Sequence, residues 1–170
     1  MKRRIVELIL ILFAFILQST LFKVLSLGGV SPNLLIILTA FFGFMCGKGE
    51  GMYAGFIAGI LMDSLYGNGI IGLYALIFVW IGYMCGAFSR LFFPEDVVLP
   101  IFLTTAGDLL YGFISFLFLF LLRSRLDFSW YLLHIILPEA VYTLIMTMLL
   151  FKPVLFIEQA LEVPAERNVF

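Results

Sequence analysis

The chain is a succession of long apolar runs separated by short polar stretches. Six runs stand out, over residues 5–22, 33–47, 51–65, 70–88, 97–122 and 130–151. Apolar residues cover the whole circumference that a helix would present, without the alternation of a membrane strand. Since a helix of about 20 apolar residues crosses the hydrocarbon core of a bilayer, the pattern predicts an all-α integral membrane protein. We expect a six-helix transmembrane bundle that forms one domain over residues 1–170.

Two of the runs, residues 33–47 and 51–65, are short for membrane spans. A fifteen-residue helix is only about 22 Å long at roughly 1.5 Å per residue. The two segments either cross the membrane fully or form a re-entrant hairpin, which would leave four full spans. Ser31 and Pro32 predict the N-cap and first helical position of the earlier segment. At the other end of the chain, a short cytoplasmic tail is expected over residues 152–170, with a surface helix between Pro153 and Pro164.

Composition decides what surrounds these helices. Hydrophobic residues make up 64% of the chain and charged residues 12%, whereas soluble domains contain roughly 45–50% and 25%. A soluble fold of this size needs many polar side chains to cover its surface. The sequence therefore excludes a soluble enzyme, a nucleic-acid-binding protein and a disordered tail, and it predicts a surface in contact with the lipid bilayer.

The basic residues predict the orientation of the chain in the membrane. With six spans and a cytoplasmic N-terminus, the basic residues on the cytoplasmic side are Lys2, Arg3, Arg4, Lys48, Arg90, Lys152 and Arg167. Those on the outer side are Lys23, Arg123 and Arg125. Because cytoplasmic loops carry an excess of Lys and Arg, both termini are predicted to be cytoplasmic.

A five-residue pattern occurs twice, as GFMCG over residues 43–47 and as GYMCG over residues 82–86. The copies end the second and the fourth run. Two helices with the same terminal pattern are expected to run in the same direction and to end at the same depth. The alternative is a chance convergence of small residues at packed helix ends.

Small residues mark one face of the third run. Gly51, Gly55 and Gly59 are spaced by four, and Ala54 and Ala58 lie beside them. Such a face lets a neighbouring backbone approach closely in a membrane. The neighbour is either another helix of this chain or a partner protein.

Two carboxyl groups are predicted near the middle of the membrane. Counted from opposite sides, Asp108 lies about 17 Å into the fifth run and Glu139 about 14 Å into the sixth. A charged group at the centre of a span costs about 2.5–3.5 kcal/mol even on a lenient scale. We expect at least one carboxyl to be protonated and to share a hydrogen bond with the other, or with Thr104, Thr105 or Tyr111. Alternatively, both face a polar cleft and bind the backbone.

Asp63 and its neighbours are predicted to brace a loop. Asp63 ends the third run, where the helix dipole disfavours an anion, so a local partner is expected. Backbone N–H groups in turns at Gly67 and Gly69 could supply it. Asn33 is assigned the same bracing role at the start of the second run.

Three further residues have structural interpretations. Pro138 cannot donate to the carbonyl of His134, so the sixth helix is predicted to kink there. His134 is expected at the level of the lipid headgroups. Glu7 lies in the first turn of its helix, where the helix dipole favours an acid.

The chain lacks the motifs of known catalytic and metal sites. A phosphate-binding GxxxxGK loop and an intramembrane serine-protease motif are missing. Asp63 and Asp108 lack the motifs of intramembrane aspartyl proteases and are predicted at different depths. Cys46, Cys85 and a single histidine cannot build a structural zinc site. We therefore expect no enzyme activity, cofactor or metal.

Three stretches resemble the family of rod shape-determining protein MreD. They are PNLL over residues 32–35, GMYAGFIAGILMD over residues 51–63 and GIIGLYAL over residues 69–76. The family has a similar Pro-(Asn/Asp)-leucine start, a glycine-spaced helix ending in Leu-x-Asp and a glycine-led fourth helix. Asp108 also resembles the family's acid in the fifth span, whereas Glu139 has no clear counterpart.

The resemblance implies a multi-pass, non-enzymatic component of the bacterial inner membrane. Its fold would be similar to the substrate-binding membrane subunits of energy-coupling-factor transporters. Its partners would be the single-span protein MreC and, indirectly, MreB and the RodA–transpeptidase pair that builds lateral peptidoglycan. The alternative is a vitamin-binding subunit of such a transporter, with Asp63, Asn68 and His134 lining an outer pocket.

Overall fold

A computed structural model describes residues 2–24, 30–66, 72–91, 97–121 and 128–162. The described part of the chain folds into helices, which confirms the all-α prediction. The first four helices are α1 (Lys2–Val24), α2 (Leu34–Cys46), α3 (Lys48–Tyr66) and α4 (Leu73–Ala87). They are followed by a short 3₁₀ turn (Ser89–Leu91), α5 (Val98–Leu121), α6 (Phe128–Tyr131), a π-helical turn (Leu132–Ile136) and α7 (Leu137–Glu162).

Among the described residues, three helical segments are long and apolar enough to cross a membrane. They are Arg3–Phe22, Val98–Phe118 and Ser129–Leu161. The helices α2 and α4 are apolar but shorter. The architecture is therefore that of a helical integral membrane protein, as predicted, while the number of spans stays a prediction.

The last helix is continuous from α6 through the π-helical turn into α7. Tyr131 and Leu137, which flank the turn, both have right-handed helical backbone angles. The turn lies directly before Pro138, whose missing N–H disrupts the regular hydrogen bonding of the preceding residues. The disrupted hydrogen bonding before Pro138 takes the form of a π-helical turn, while the kink itself stays a prediction. The helix also continues through Pro153 to Glu162, so the expected separate surface helix after Pro153 is wrong.

The helix α2 lies at the centre of the molecule. Every residue from Leu34 to Phe44 is buried, and α2 packs against α1, α3, α4, α5 and α7. Its N-cap is Asn33, whose side chain accepts a hydrogen bond from Ile36 N at 3.3 Å. The predicted N-cap at Ser31 is therefore wrong, because the asparagine oxygen reaches the third helical residue.

The helices α2, α3 and α4 fold back and forth on one another. Gly47 alone separates α2 from α3, and its φ of 93° lies in the left-handed region that favours glycine. Because α3 is antiparallel to both of its neighbours, α2 and α4 run in the same direction. On the outside, large apolar side chains are exposed, among them Phe13 of α1, Phe102 of α5 and Phe156 of α7. Such a surface suits contact with hydrocarbon.

Candidate functional site

The glycine stripe of α3 packs against α4 of the same chain. A Cβ atom added at Gly51 would lie 2.5 Å from the carbonyl oxygen of Gly82. Cβ atoms added at Gly55 and Gly59 would collide with the backbone of Phe78 and of Ala75. The two backbones are thus in direct contact, and no larger residue fits between them. The glycine face is used inside the molecule, as one of the two predicted alternatives has it.

The repeated GxMCG pattern lies at one end of this packing. A Cβ atom added at Gly43 would lie 2.6 Å from the carbonyl oxygen of Gly82 and 3.1 Å from the backbone nitrogen of Gly86. The prediction that α2 and α4 run in parallel and end at the same depth is confirmed by these contacts. We call the set Gly43, Gly51, Gly55, Gly59, Gly82 and Gly86 the glycine junction. Ala54 and Ala58, beside the stripe, are fully buried in the hydrophobic core.

Asp63 caps the helix that follows it. Its two carboxylate oxygens accept hydrogen bonds from Tyr74 N at 3.2 Å and from Ala75 N at 3.1 Å. The residue at the N-cap position is Gly72, with a φ of 94° and no side chain to bind these donors. Asp63 therefore supplies the cap from the end of α3 and meets the positive end of the α4 dipole.

The described donors to Asp63 belong to the first turn of α4. Gly67 and Gly69, the donors that the sequence predicts, lie outside the described residues, so their contact with Asp63 stays a prediction. The sequence could indicate this contact only in general terms, since the start of any helix offers free N–H groups to a nearby acid.

The intramembrane carboxyls belong to a buried polar cluster around the start of α2, which we call the Asn33 cluster (Asn33, Asp108, Glu139 and Thr143). Asn33 N donates to Thr143 Oγ1 at 3.2 Å. The Asp108 carboxyl group lies beside the Thr143 side chain, and the Asn33 amide faces the Glu139 carboxyl group. Asn33 and Asp108 are 1% and 2% exposed, and Thr143 is fully buried. These three residues are thus enclosed by the helices α2, α5 and α7, whereas Glu139 is partly buried.

Sequence reasoning brought Asp108 and Glu139 together, but two of the partners that it offered, Thr104 and Thr105, bind elsewhere, and the contact with Tyr111 stays a prediction. The hydroxyl groups of Thr104 and Thr105 donate to backbone carbonyls of their own helix, at 2.8 Å each. Thr143 was missed, although it follows Glu139 by four residues and so lies on the same helix face. Whether the two carboxyls share a proton stays a prediction.

His134 lies apart from this cluster. Its Nδ1 is 3.0 Å from the carbonyl oxygen of Trp130, one turn earlier, and must donate to it because a carbonyl only accepts. The imidazole also stacks on the Trp130 indole at a centroid distance of 4.9 Å, and both side chains are exposed. The His134 imidazole thus makes both of these contacts with a residue of its own helix.

A second polar group, which we call the terminal cluster, joins the start of α1 to the ends of α2 and α7. It consists of Arg3, Glu7, Cys46 and Glu158. The Arg3 guanidinium contacts Glu7 at 3.2 Å, Glu158 at 3.0 Å and the Cys46 thiol. Only the spacing of Arg3 and Glu7 by four residues could have indicated it.

A shallow groove of about 100 Å³ lies between α4 and α5. Its walls are apolar and include Trp80, Met84, Phe88, Leu103, Ala106 and Leu110. The exposed Trp80 and Met84 side chains are at its rim. A groove of this shape accommodates apolar chains, and it offers few groups for a polar ligand.

Comparison with known proteins gives one positive result. No curated protein and no solved structure matches the chain, so the expected similarity to energy-coupling-factor subunits stays a prediction. The family model of rod shape-determining protein MreD matches residues 1–160. The match includes the glycine junction, Asp63, the Asn33 cluster and the terminal cluster. The chain therefore belongs to the MreD family of rod shape-determining proteins.

Proposed function

We propose that this chain is a non-catalytic scaffold of the bacterial cell-elongation machinery. It acts in the inner membrane by lateral association with the single-span protein MreC. Through MreC it connects indirectly with MreB and with the RodA–transpeptidase pair that builds lateral peptidoglycan. Membership of the MreD family supports a role in determining rod shape, and the distribution of polar and apolar side chains supports the scaffold mechanism.

The observation that carries the proposal is the contrast between the interior and the surface. Asn33, Asp108 and Thr143 are turned inward and enclosed, whereas Val98 and Phe102 on α5 are 76% and 67% exposed. Between lipid-embedded helices the hydrophobic effect gives no driving force, so association depends on shape and close packing. The backbone contacts of the glycine junction supply a rigid core that can hold such an apolar surface in a fixed shape.

The charges at the helix ends support a cytoplasmic position for both termini. Arg3 and Arg4 of α1 lie beside Cys46 at the end of α2 and Glu50 at the start of α3. Arg3 and Arg4 thus lie at the same end of the bundle as Lys48, the first residue of α3. In the proposed orientation this end faces the cytoplasm, in accordance with the excess of basic residues on that side.

The transporter alternative is weakened by the side chains on which it depended. Asp63 is bound to the first turn of α4, and His134 is bound to Trp130. Both oxygens of Asp63 and the Nδ1 atom of His134 are thus engaged within the chain, and Asn68 lies outside the described residues. A transporter subunit also needs an enclosed pocket with several polar groups, whereas the groove between α4 and α5 is apolar.

Cysteine crosslinking to MreC tests the scaffold proposal. In a C46S/C85S background, single cysteines replace one exposed apolar residue on each of the helices α1, α4, α5 and α7: Phe13, Trp80, Phe102 and Val141. Each variant is oxidised in membranes together with MreC that carries one cysteine in its span. We expect disulfides on one face only. The fully buried Ala58→Cys is the matched control and should give none.

Two results would contradict the proposal. One is the absence of any crosslink to MreC at all four faces in a chain that still restores rod shape. The other is recovery of a stoichiometric small molecule with the purified protein, which would favour the transporter subunit.

A further inference from the structure

We propose that the terminal cluster is a binding site for a divalent transition-metal ion such as Zn²⁺. Its ligands would be the Cys46 thiolate and the carboxylates of Glu7 and Glu158. These residues come from α2, α1 and α7. The proposal does not depend on the scaffold function, because it concerns how the chain holds three of its own helix ends together.

The positions of the ligand atoms suit a metal ion. One atom of each residue lies within 4.8 Å of the other two, and Cys46 Sγ is 3.6 Å from Glu158 Oε2. Ligand atoms about 2.0–2.3 Å from a tetrahedral Zn²⁺ lie roughly 3.3–3.8 Å from one another. The thiol and one carboxylate are thus already at the required spacing, and small rotations of the Glu7 side chain bring in the third ligand.

Free carboxylate oxygens point to a missing positive charge. Glu7 is fully buried and Glu158 is 3% exposed. Glu7 Oε2 and Glu158 Oε1 have no hydrogen-bond partner among the described residues. The Arg3 guanidinium compensates one of the two carboxylates, while Glu50, the nearest further acid, has Arg4 at 3.3 Å. A buried charge without a partner is costly, so a second cation would stabilise this arrangement.

The donor set selects the kind of ion. A thiolate favours Zn²⁺ and similar metals, and carboxylates complete its common ligand set, whereas Mg²⁺ and Ca²⁺ prefer oxygen ligands alone. Binding deprotonates the Cys46 thiol, and the proton passes to water at the open side of the cluster. Local sequence patterns do not indicate this site, because its ligands are separated by 39 and 112 positions (7 to 46 and 46 to 158).

Arg3 competes with the metal for the same atoms. Its guanidinium contacts Glu7, Cys46 and Glu158, so a bound ion must displace it. Arg3 is the most accessible member of the cluster, with 35% of its side chain exposed, and it can turn toward water. Removing this arginine should therefore strengthen metal binding, which distinguishes a metal site from a purely structural ion pair.

Cobalt titration of the purified full-length chain in detergent micelles tests the site. Co²⁺ bound to a thiolate gives a charge-transfer absorption in the near ultraviolet, and added Zn²⁺ should abolish it. We expect one Co²⁺ per chain in the wild type and binding at least tenfold tighter in Arg3→Gln. Cys46→Ser should lose the absorption, whereas Cys85→Ser, which changes the other cysteine, should keep it. Glu7→Gln and Glu158→Gln should each weaken binding at least tenfold.

Gel filtration of each variant separates loss of the site from loss of the fold. The gain expected in Arg3→Gln cannot come from misfolding. The proposal is overturned if neither the wild type nor Arg3→Gln shows the thiolate absorption. It is also overturned if Glu7→Gln and Glu158→Gln bind Co²⁺ as tightly as the wild type, since Cys46 alone would then be the ligand.

Discussion

At the scale of single residues, Asp63 links two helices through one carboxylate. Both of its oxygens bind backbone N–H groups of the first turn of α4. Losing a helix cap costs about 0.5–2 kcal/mol, and this cap also joins α3 to α4. We therefore expect Asp63→Ala to lower the free energy of unfolding by about 1–2 kcal/mol, measured by denaturant titration in mixed micelles.

Ser64→Ala is the matched control for Asp63, one residue further along α3. The Ser64 hydroxyl donates to Leu61 O of its own helix at 2.7 Å and is exposed. Its removal should change stability by less than about 0.5 kcal/mol. If both variants lost the same free energy of unfolding, the capping contact of Asp63 would add no more stability than the exposed hydroxyl of Ser64.

The two intramembrane carboxyls lend themselves to a double-mutant cycle. If Asp108 and Glu139 share a proton, replacing either one removes their interaction, and replacing the second removes nothing further. We expect the effects of Asp108→Asn and Glu139→Gln on unfolding free energy to be non-additive by about 0.5–3 kcal/mol. The control cycle combines Asp108→Asn with Glu50→Gln. Because Glu50 lies in the first turn of α3 and pairs with Arg4, the two effects should be additive within about 0.5 kcal/mol. Additivity in both cycles would exclude the shared proton.

At the scale of helices, the glycine junction fixes how α3 and α4 pack. A methyl group at Gly55 would collide with the backbone of Phe78 and Val79, which cannot turn aside as a side chain can. Overpacking of this kind costs about 1–3 kcal/mol. We expect Gly55→Ala to destabilise the chain by that amount in the same micelle titration, despite the better helix propensity of alanine.

Gly49→Ala provides the control in the same helix. No atom lies within 4 Å of a Cβ added there, so only the propensity changes and stability should rise by up to about 1 kcal/mol. A destabilisation of equal size at both positions would mean that the close approach of α3 and α4 is not required.

Hydropathy predicted where the helices lie but could not tell which of them is central. The run over residues 33–47 is as apolar as a lipid-facing helix, yet Leu34 to Phe44 are buried by protein on all sides. Lipid tails and protein interiors are equally apolar, so the pattern of side chains is the same in both. The run ending at residue 151 gave no indication that α7 continues to Glu162, because Lys152 and Pro153 interrupt the apolar pattern.

At the scale of the whole molecule, long-range contacts decide the sites, and local patterns cannot predict them. The small-residue spacing of α3 indicated a close packing face because that signal lies within one helix. The bond between Asn33 and Thr143 spans 110 positions, and that between Arg3 and Glu158 spans 155. Each depends on the assembled bundle. Family membership therefore adds what spacing alone could not supply, namely the role in rod shape.

The end of α7 belongs to the packed bundle, and truncation can show it. Phe151, Val154 and Glu158 are 1%, 4% and 3% exposed, and Glu158 binds Arg3. A chain that ends at Lys152 loses the buried Val154 side chain and the ion pair, so we expect unfolding free energy to fall by at least about 2 kcal/mol. A chain that ends at Glu162 keeps all of these contacts and should stay within about 0.5 kcal/mol of the full chain. Equal stability of the two truncated chains would mean that the bundle ends at residue 151, as hydropathy alone predicts.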